Sequence, residues 1–266
     1  MGSADERSTQ PDYCSRLRCT GGTLMVFTAD YPRSKVVPAH PTNVLSGSNN
    51  PKVIVLHTPE EPADGHPGTP IYFQGANRGG STHYYSHSSG DWYQMVPEKK
   101  GAIANGVKGK PYPAGTTSSK SLNYQSVNVE IEGYAASIAT TMPRGKVQWK
   151  AVVKWVLFEA KKYKIPIDRR HIIGHYEVAN NRSDPGTLNI QHIVDDVLAL
   201  KAKEEGKLTM DEFRELKKLI RDLSAKTSAS ERDSKKRDRD GLRFSKEVAK
   251  TLNTRLKTLE TKVAKL

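Results

Sequence analysis

Three residues in this 266-residue chain have the types and surroundings that could hold a metal ion and leave room for a reacting water: His57, His175 and Asp184. His57 ends the apolar run Val53-Ile54-Val55-Leu56, and His175 follows Ile172-Ile173-Gly174. Each histidine is thus expected where a buried segment emerges. Asp184 opens the turn Asp184-Pro185-Gly186, which can hold a carboxylate rigidly. Two imidazoles and a carboxylate fill three positions of a tetrahedral zinc site and leave the fourth for water or a carbonyl oxygen, the arrangement of a zinc hydrolase.

The elements that must position these residues follow from hydrophobic patterning. Val53 to Leu56 reads as a buried strand, Gly80 to Val96 as a hairpin turning at Ser89-Gly90-Asp91, and Val127 to Ile131 as a strand of alternating polar and apolar residues. Trp149, Val152, Val153, Val156, Leu157 and Ala160 recur at helical spacing and predict a long amphipathic helix that stops near Tyr163-Lys164-Ile165-Pro166. Ile190, Ile193, Val194, Val197 and Leu198 predict a second helix. The fold class is therefore α/β, a mixed central sheet flanked by helices, with a C-terminal helical extension.

Composition divides the chain into residues 1–50, a loosely ordered leader that adds at most an edge strand, residues 51–205, the catalytic domain, and residues 206–266, a basic helical tail. In the tail, Thr209 to Glu212 is a capping-box signature followed by Phe213, Leu216, Ile220 and Leu223, and Leu252, Leu256, Leu259, Val263 and Leu266 form a short heptad seam. The first helix is expected to pack on the domain; homo-oligomerisation through the last is an equal alternative.

The net charge of +13 calls for an anionic partner, nucleic acid or cell-wall polymer. From Lys201 onward, 20 Lys and Arg stand against 12 Asp and Glu, an excess of +8. No aromatic RNA-binding signature, helix-turn-helix or zinc-finger pattern is present, so specific nucleic-acid recognition is not expected. A structural zinc would in addition want four protein ligands, usually cysteines. The two cysteines, Cys14 and Cys19, read as free thiols of a reducing compartment, with a local disulfide as the alternative. No apolar run is long enough to span a membrane and no secretory signal is visible, so a soluble chain is expected. Among the other histidines, His83 and His171 could support the site or touch substrate, and His40, His66, His87 and His192 are expected to be structural.

Taken in order, His57 after a strand, Ser81-Thr82-His83-Tyr84, Gln94 to Glu98, Ser126 to Gly133 and Ile173-Gly174-His175 with Asp184-Pro185-Gly186 resemble the zinc-dependent type 2 N-acetylmuramoyl-L-alanine amidases. That family shares its fold with the peptidoglycan recognition proteins and includes many bacteriophage endolysins. The resemblance covers about residues 50–200. It implies cleavage of the bond between the lactyl group of N-acetylmuramic acid and L-alanine in peptidoglycan, with His57, His175 and Asp184 as zinc ligands and Glu130 acting on water. Glu132, two residues on, is the reserve for that role. Tyr84, Tyr85 and Asn128 are expected to line the substrate groove. It also implies an endolysin held in the host cytoplasm before it meets the cell wall, its tail attracted to anionic wall polymers; a non-catalytic peptidoglycan-binding module is the alternative.

Two departures stand out. Arg182 occupies the place where the family commonly has Lys, so it can stabilise an oxyanion but not donate a proton at working pH. The family's Ala-Trp-His-x-Gly segment appears as Ala102-Ile103-Ala104-Asn105-Gly106, without its histidine.

Overall fold

The computed structural model describes residues 25–64 and 67–205, with positions 218, 219, 221, 222, 225, 250, 253, 254 and 257 beyond them. The core of the first part is a six-stranded mixed sheet in the order β1-β5-β4-β7-β3-β8. Its strands are β1 (Ser34–Val36), β3 (Val53–His57), β4 (Tyr84–Ser86), β5 (Trp92–Gln94), β7 (Ser126–Ile131) and β8 (Ile172–Gly174). The pairs β1–β5, β4–β7, β7–β3 and β3–β8 are parallel, and the β4–β5 hairpin is antiparallel. A separate antiparallel pair joins β2 (Val44–Ser48) to β6 (Lys100–Ala102). Within residues 25–205 the α-helices are α1 (Gly68–Phe73), α2 (Ile138–Thr141), α3 (Val147–Tyr163) and α4 (Ile190–Glu204).

The mixed α/β architecture agrees with the patterning, and each segment of residues 51–205 read above as strand, hairpin or helix forms. All five residues of β3 are buried, as a central parallel strand covered on both faces requires. The hairpin turns through Gly90, whose φ of +89° is a conformation open to glycine. The stripe of α3 from Trp149 to Ala160 is buried, and Trp155 stacks on Trp92 with ring centroids 5.3 Å apart. That helix ends at Lys164, left-handed at φ +55°, just ahead of Ile165-Pro166.

Three differences have physical causes. β7 alternates in sequence yet its polar Asn128 is fully buried, because hydrogen bonds from neighbouring polar groups replace solvent. Residues assigned by composition to the leader contribute β1 and β2; Tyr31 and Ala39 are buried although no apolar run marks them. α1, α2, β6 and β8 span three to six residues, too short for a periodic signal.

Among the described residues no helix is long and apolar enough to cross a membrane. The chain divides into two units, the first ending at Val197. Cys14, Cys19, His66, the capping box and hydrophobic stripe from Thr209, and the heptad seam from Leu252 lie outside the described residues, so pairing and self-association rest on sequence alone.

Candidate metal centre and active site

The centre is assembled at the C-terminal ends of three adjacent parallel strands, where an α/β sheet habitually presents ligand-binding groups. His57 closes β3 and is the register partner of Glu130 on β7. β8, on the other side of β3, ends at Gly174, and His175 begins the short 3-10 turn His175–Glu177. Glu177 fixes this turn by accepting the Gly174 amide at 2.8 Å and pairing with Arg169 at 2.6 Å. The following loop returns Asp184 to the site: its carbonyl accepts the Tyr176 amide at 3.0 Å.

Asp184 Oδ2 lies 3.2 Å from Nδ1 of His57 and 3.2 Å from Nδ1 of His175. Zinc bonds near 2 Å at tetrahedral angles set ligand atoms about 3.3 Å apart, the spacing of Asp184 from each histidine, and all three ligand atoms lie within 4.8 Å of one another, a donor set that fits zinc. No other group of three or more His, Cys, Asp or Glu side chains among the described residues converges in this way. A metal held at Nδ1 would put the His57 proton on Nε2, which faces Asn128 Oδ1 at 3.4 Å. Asn128 is in turn held by Asn105 at 2.6 Å, Ser126 at 3.1 Å and His83 at 3.2 Å.

The electrostatics separate the two carboxylates of the site. Burial works against ionised Asp184, but hydrogen bonds to His175 and His57 outweigh it and hold the carboxyl well below its ordinary range, ionised and ready to ligate. Burial also opposes a charged His57, yet its bond to Asp184 and the nearby charge of Glu130 lift its pKa above the usual imidazole value. At His175 burial prevails and the pKa falls. Glu130 goes the other way: burial raises it to about 7, against the pull of His57 and with the help of the Asp184 charge. Its Oε2 is buried without a hydrogen-bond partner. Such a carboxyl can exchange a proton near neutral pH.

A cleft of about 630 Å³ opens over this centre, lined by all three convergent residues together with Glu130 and Arg182. Arg182 is exposed, free to meet a negatively charged group entering from solvent.

The remaining expectations divide. Tyr84, Tyr85 and Asn128 have no exposed surface and do not line the cleft, which corrects their assignment to the substrate groove. Tyr84 donates instead to Glu98 in the core, and Asn128 supports His57 from behind. Glu132, also fully buried, accepts the Ser88 amide away from the cleft, which leaves Glu130 as the strand glutamate facing it. His83 bonds Lys100 O and Asn128, and His171 bonds Asp168; neither lines the cleft. The patterning missed Glu60, Glu61 and Tyr72, which do line it. They lie on the loop after β3 and on short α1, where no local signal distinguishes a cleft residue from a surface one. Ala104, at the place of the absent histidine, forms part of the cleft wall with Ile103, while Asn105 beside it is buried on Asn128.

The family model described as N-acetylmuramoyl-L-alanine amidase matches residues 47–187. A search of curated proteins gives no match. Among solved structures, a selenomethionine derivative of AmpD is 22% identical, over 61% of this chain and 93% of that one, with a TM-score of 0.48. The endolysin of the Thermus scotoductus bacteriophage Ph2119 is 20% identical over 57% and 88% of the two chains, TM-score 0.41. The amidase LysC from Clostridium intestinale is 17% identical over 62% and 97%, TM-score 0.42.

Proposed function

Because the chain belongs to the N-acetylmuramoyl-L-alanine amidase family, we propose that it hydrolyses the N-acetylmuramoyl–L-alanine bond of peptidoglycan as a zinc-dependent phage endolysin. The observation that carries the zinc reading is the single Asp184 oxygen placed 3.2 Å from both imidazole Nδ1 atoms. When bound by His57, His175 and Asp184, zinc supplies Lewis acidity that polarises the scissile carbonyl and makes water a nucleophile near neutral pH.

The chain's own residues do the rest. Glu130, poised by burial at a pKa of about 7, takes the proton of the attacking water and passes it to the leaving L-alanine nitrogen. Arg182 offers its guanidinium to the negative charge developing on the carbonyl oxygen. Asp184 and Asn128 together fix the orientation and tautomer of His57. The endolysin role is supported by the basic character of the chain and of residues 206–266, suited to anionic wall polymers. A non-catalytic recognition module is the weaker reading, since binding alone has no use for an unpartnered buried carboxyl beside the centre.

The test is digestion of purified peptidoglycan with and without chelator. The expected products are new L-alanine amino termini with no new reducing sugars, lost on chelation and restored by zinc. New reducing ends, or cleavage indifferent to chelator, would overturn the proposal.

A further inference from the structure

The loop that leaves His57 holds a conformational anomaly: Glu60 has φ of +58°, a left-handed backbone unfavourable for any residue with a β-carbon. Something outside the loop must hold it there. Glu60 Oε1 accepts two hydrogen bonds, from Thr58 Oγ1 at 2.8 Å and from the Ala135 amide at 2.9 Å. Ala135 lies between β7 and α2, and its peptide is used from both ends. Its carbonyl accepts the Thr187 amide at 2.9 Å and the Thr187 hydroxyl at 3.2 Å.

Thr187 stands three residues after Asp184, across a turn closed by the Gly186 amide on Ser183 O at 2.8 Å. Gly186 has φ of +55°, and a β-carbon there would come within 2.2 Å of the Ala135 carbonyl oxygen. The turn carrying Asp184 is therefore pressed against the carbonyl of the same residue whose amide Glu60 grips. The sequence His57, Thr58, Glu60, Ala135, Thr187, Asp184 forms an unbroken path between two residues of the centre.

We propose that Glu60 is a positioning residue whose carboxylate, through the Ala135 peptide, latches the loop leaving His57 to the loop carrying Asp184 and so sets the separation of those two side chains. It touches neither ligand atom and takes no part in proton transfer. The latch extends the zinc reading above, on which its consequence for metal affinity rests. Glu60 is itself exposed, and one oxygen, Oε1, makes both bonds of the latch.

Three variants separate the carboxylate from the backbone: Glu60→Ala, Glu60→Gly and Glu60→Gln. Hydrogen exchange in metal-free protein reads the latch itself; chelator competition for zinc and the visible spectrum of the cobalt(II)-substituted protein read the centre. In Glu60→Ala and Glu60→Gly the Ala135 and Thr187 amides should exchange at least about tenfold faster. Zinc should dissociate about 10- to 100-fold more readily, the loss expected when a group orienting a metal ligand is removed. The cobalt spectrum should change shape. Glu60→Gln, whose amide oxygen can still accept both bonds, should stay within about threefold of wild type.

Unchanged exchange in Glu60→Ala would overturn the latch. Glu60→Gly behaving as wild type would mean that the residue matters only through its backbone, and Glu60→Gln failing as far as alanine would mean that charge, not acceptance, is at work; either result ends the proposal. Should Glu60→Ala not fold, Glu60→Gly makes the same comparison without backbone strain. A wild-type chain that binds no zinc would end the functional reading while the exchange data still decide the latch.

Discussion

Two clusters of buried carboxyls flank the same sheet and behave in opposite ways. At one, Glu98 is fully buried and saturated: Tyr84 and Tyr163 donate to it, Lys162 pairs with it at 2.7 Å, and its amide is held by Asp30. Glu159 beside it, also without exposed surface, is driven by burial and by the charge of Glu98 to keep its proton. At the other, Glu130 faces a cleft with one oxygen unpartnered, and Asp184 divides one oxygen between two imidazoles. Burial alone therefore does not make a carboxyl reactive. Glu159 also leaves both oxygens without a hydrogen-bond partner, so what sets Glu130 apart is the cleft it faces, through which a proton can be exchanged with a bound molecule.

The comparison predicts a clean division between activity and stability. The largest effect is expected for Glu130→Gln, which should retain fold and zinc yet lose turnover by about 10² to 10⁴, since an amide cannot accept the water's proton. Steady-state rates with zinc content measured on the same sample check this. Near-normal turnover in that variant would place the base elsewhere.

Glu98→Ala should do the reverse. It strands Lys162 and two tyrosine hydroxyls and should destabilise the chain by about 3 kcal/mol, read from denaturant unfolding. Turnover per folded molecule should be unchanged. A loss of zinc in this variant would show that the two clusters are coupled.

Arg182→Ala should lower kcat by a factor on the order of 10 to 10² with little change in KM, because charge develops only in the transition state. Arg182→Lys should recover much of it. An unchanged rate in the alanine variant would remove Arg182 from the chemistry.

The smallest effect concerns Asp196, outside both clusters. Its hydrogen bond from Arg144 depresses its pKa, so the pair's contribution is complete above the ordinary carboxylate pKa and fades as pH falls through the lower folded value. The stability gap between wild type and Arg144→Ala should be constant near neutrality and close at acid pH. It should amount to less than about 1 kcal/mol, because the pair is partly exposed. A gap that widens in acid would reverse the assignment.

The two clusters also differ in how far sequence reveals them. His57, His175 and Asp184 could be picked out because each follows an apolar run or opens a turn, signals that place a side chain at a strand end. Glu130 stood out through its strand and the ordered family motifs. The Glu98 cluster left no such mark: Asp30, Glu98 and the α3 pair Glu159 and Lys162 come from three separate segments, and only tertiary packing brings them together. The error over Tyr84, Tyr85 and Asn128 has the same origin. Adjacency to site residues along a strand does not tell which face is covered, and here Trp155 of α3 packs on Tyr84 while Ala39, Met95 and Val96 pack around Tyr85. The long periodic elements β3 and α3 were legible, while β1 and β2 were hidden in a polar segment whose few apolar residues acquire their role from the strands they meet.

The measurement that bears most directly on the central claim is zinc content by elemental analysis of the wild-type protein and of His175→Ala, each loaded with zinc and freed of excess. The account predicts about one zinc per chain in the wild type and none in the variant. Stoichiometric zinc in His175→Ala, or none in the folded wild type, would contradict it.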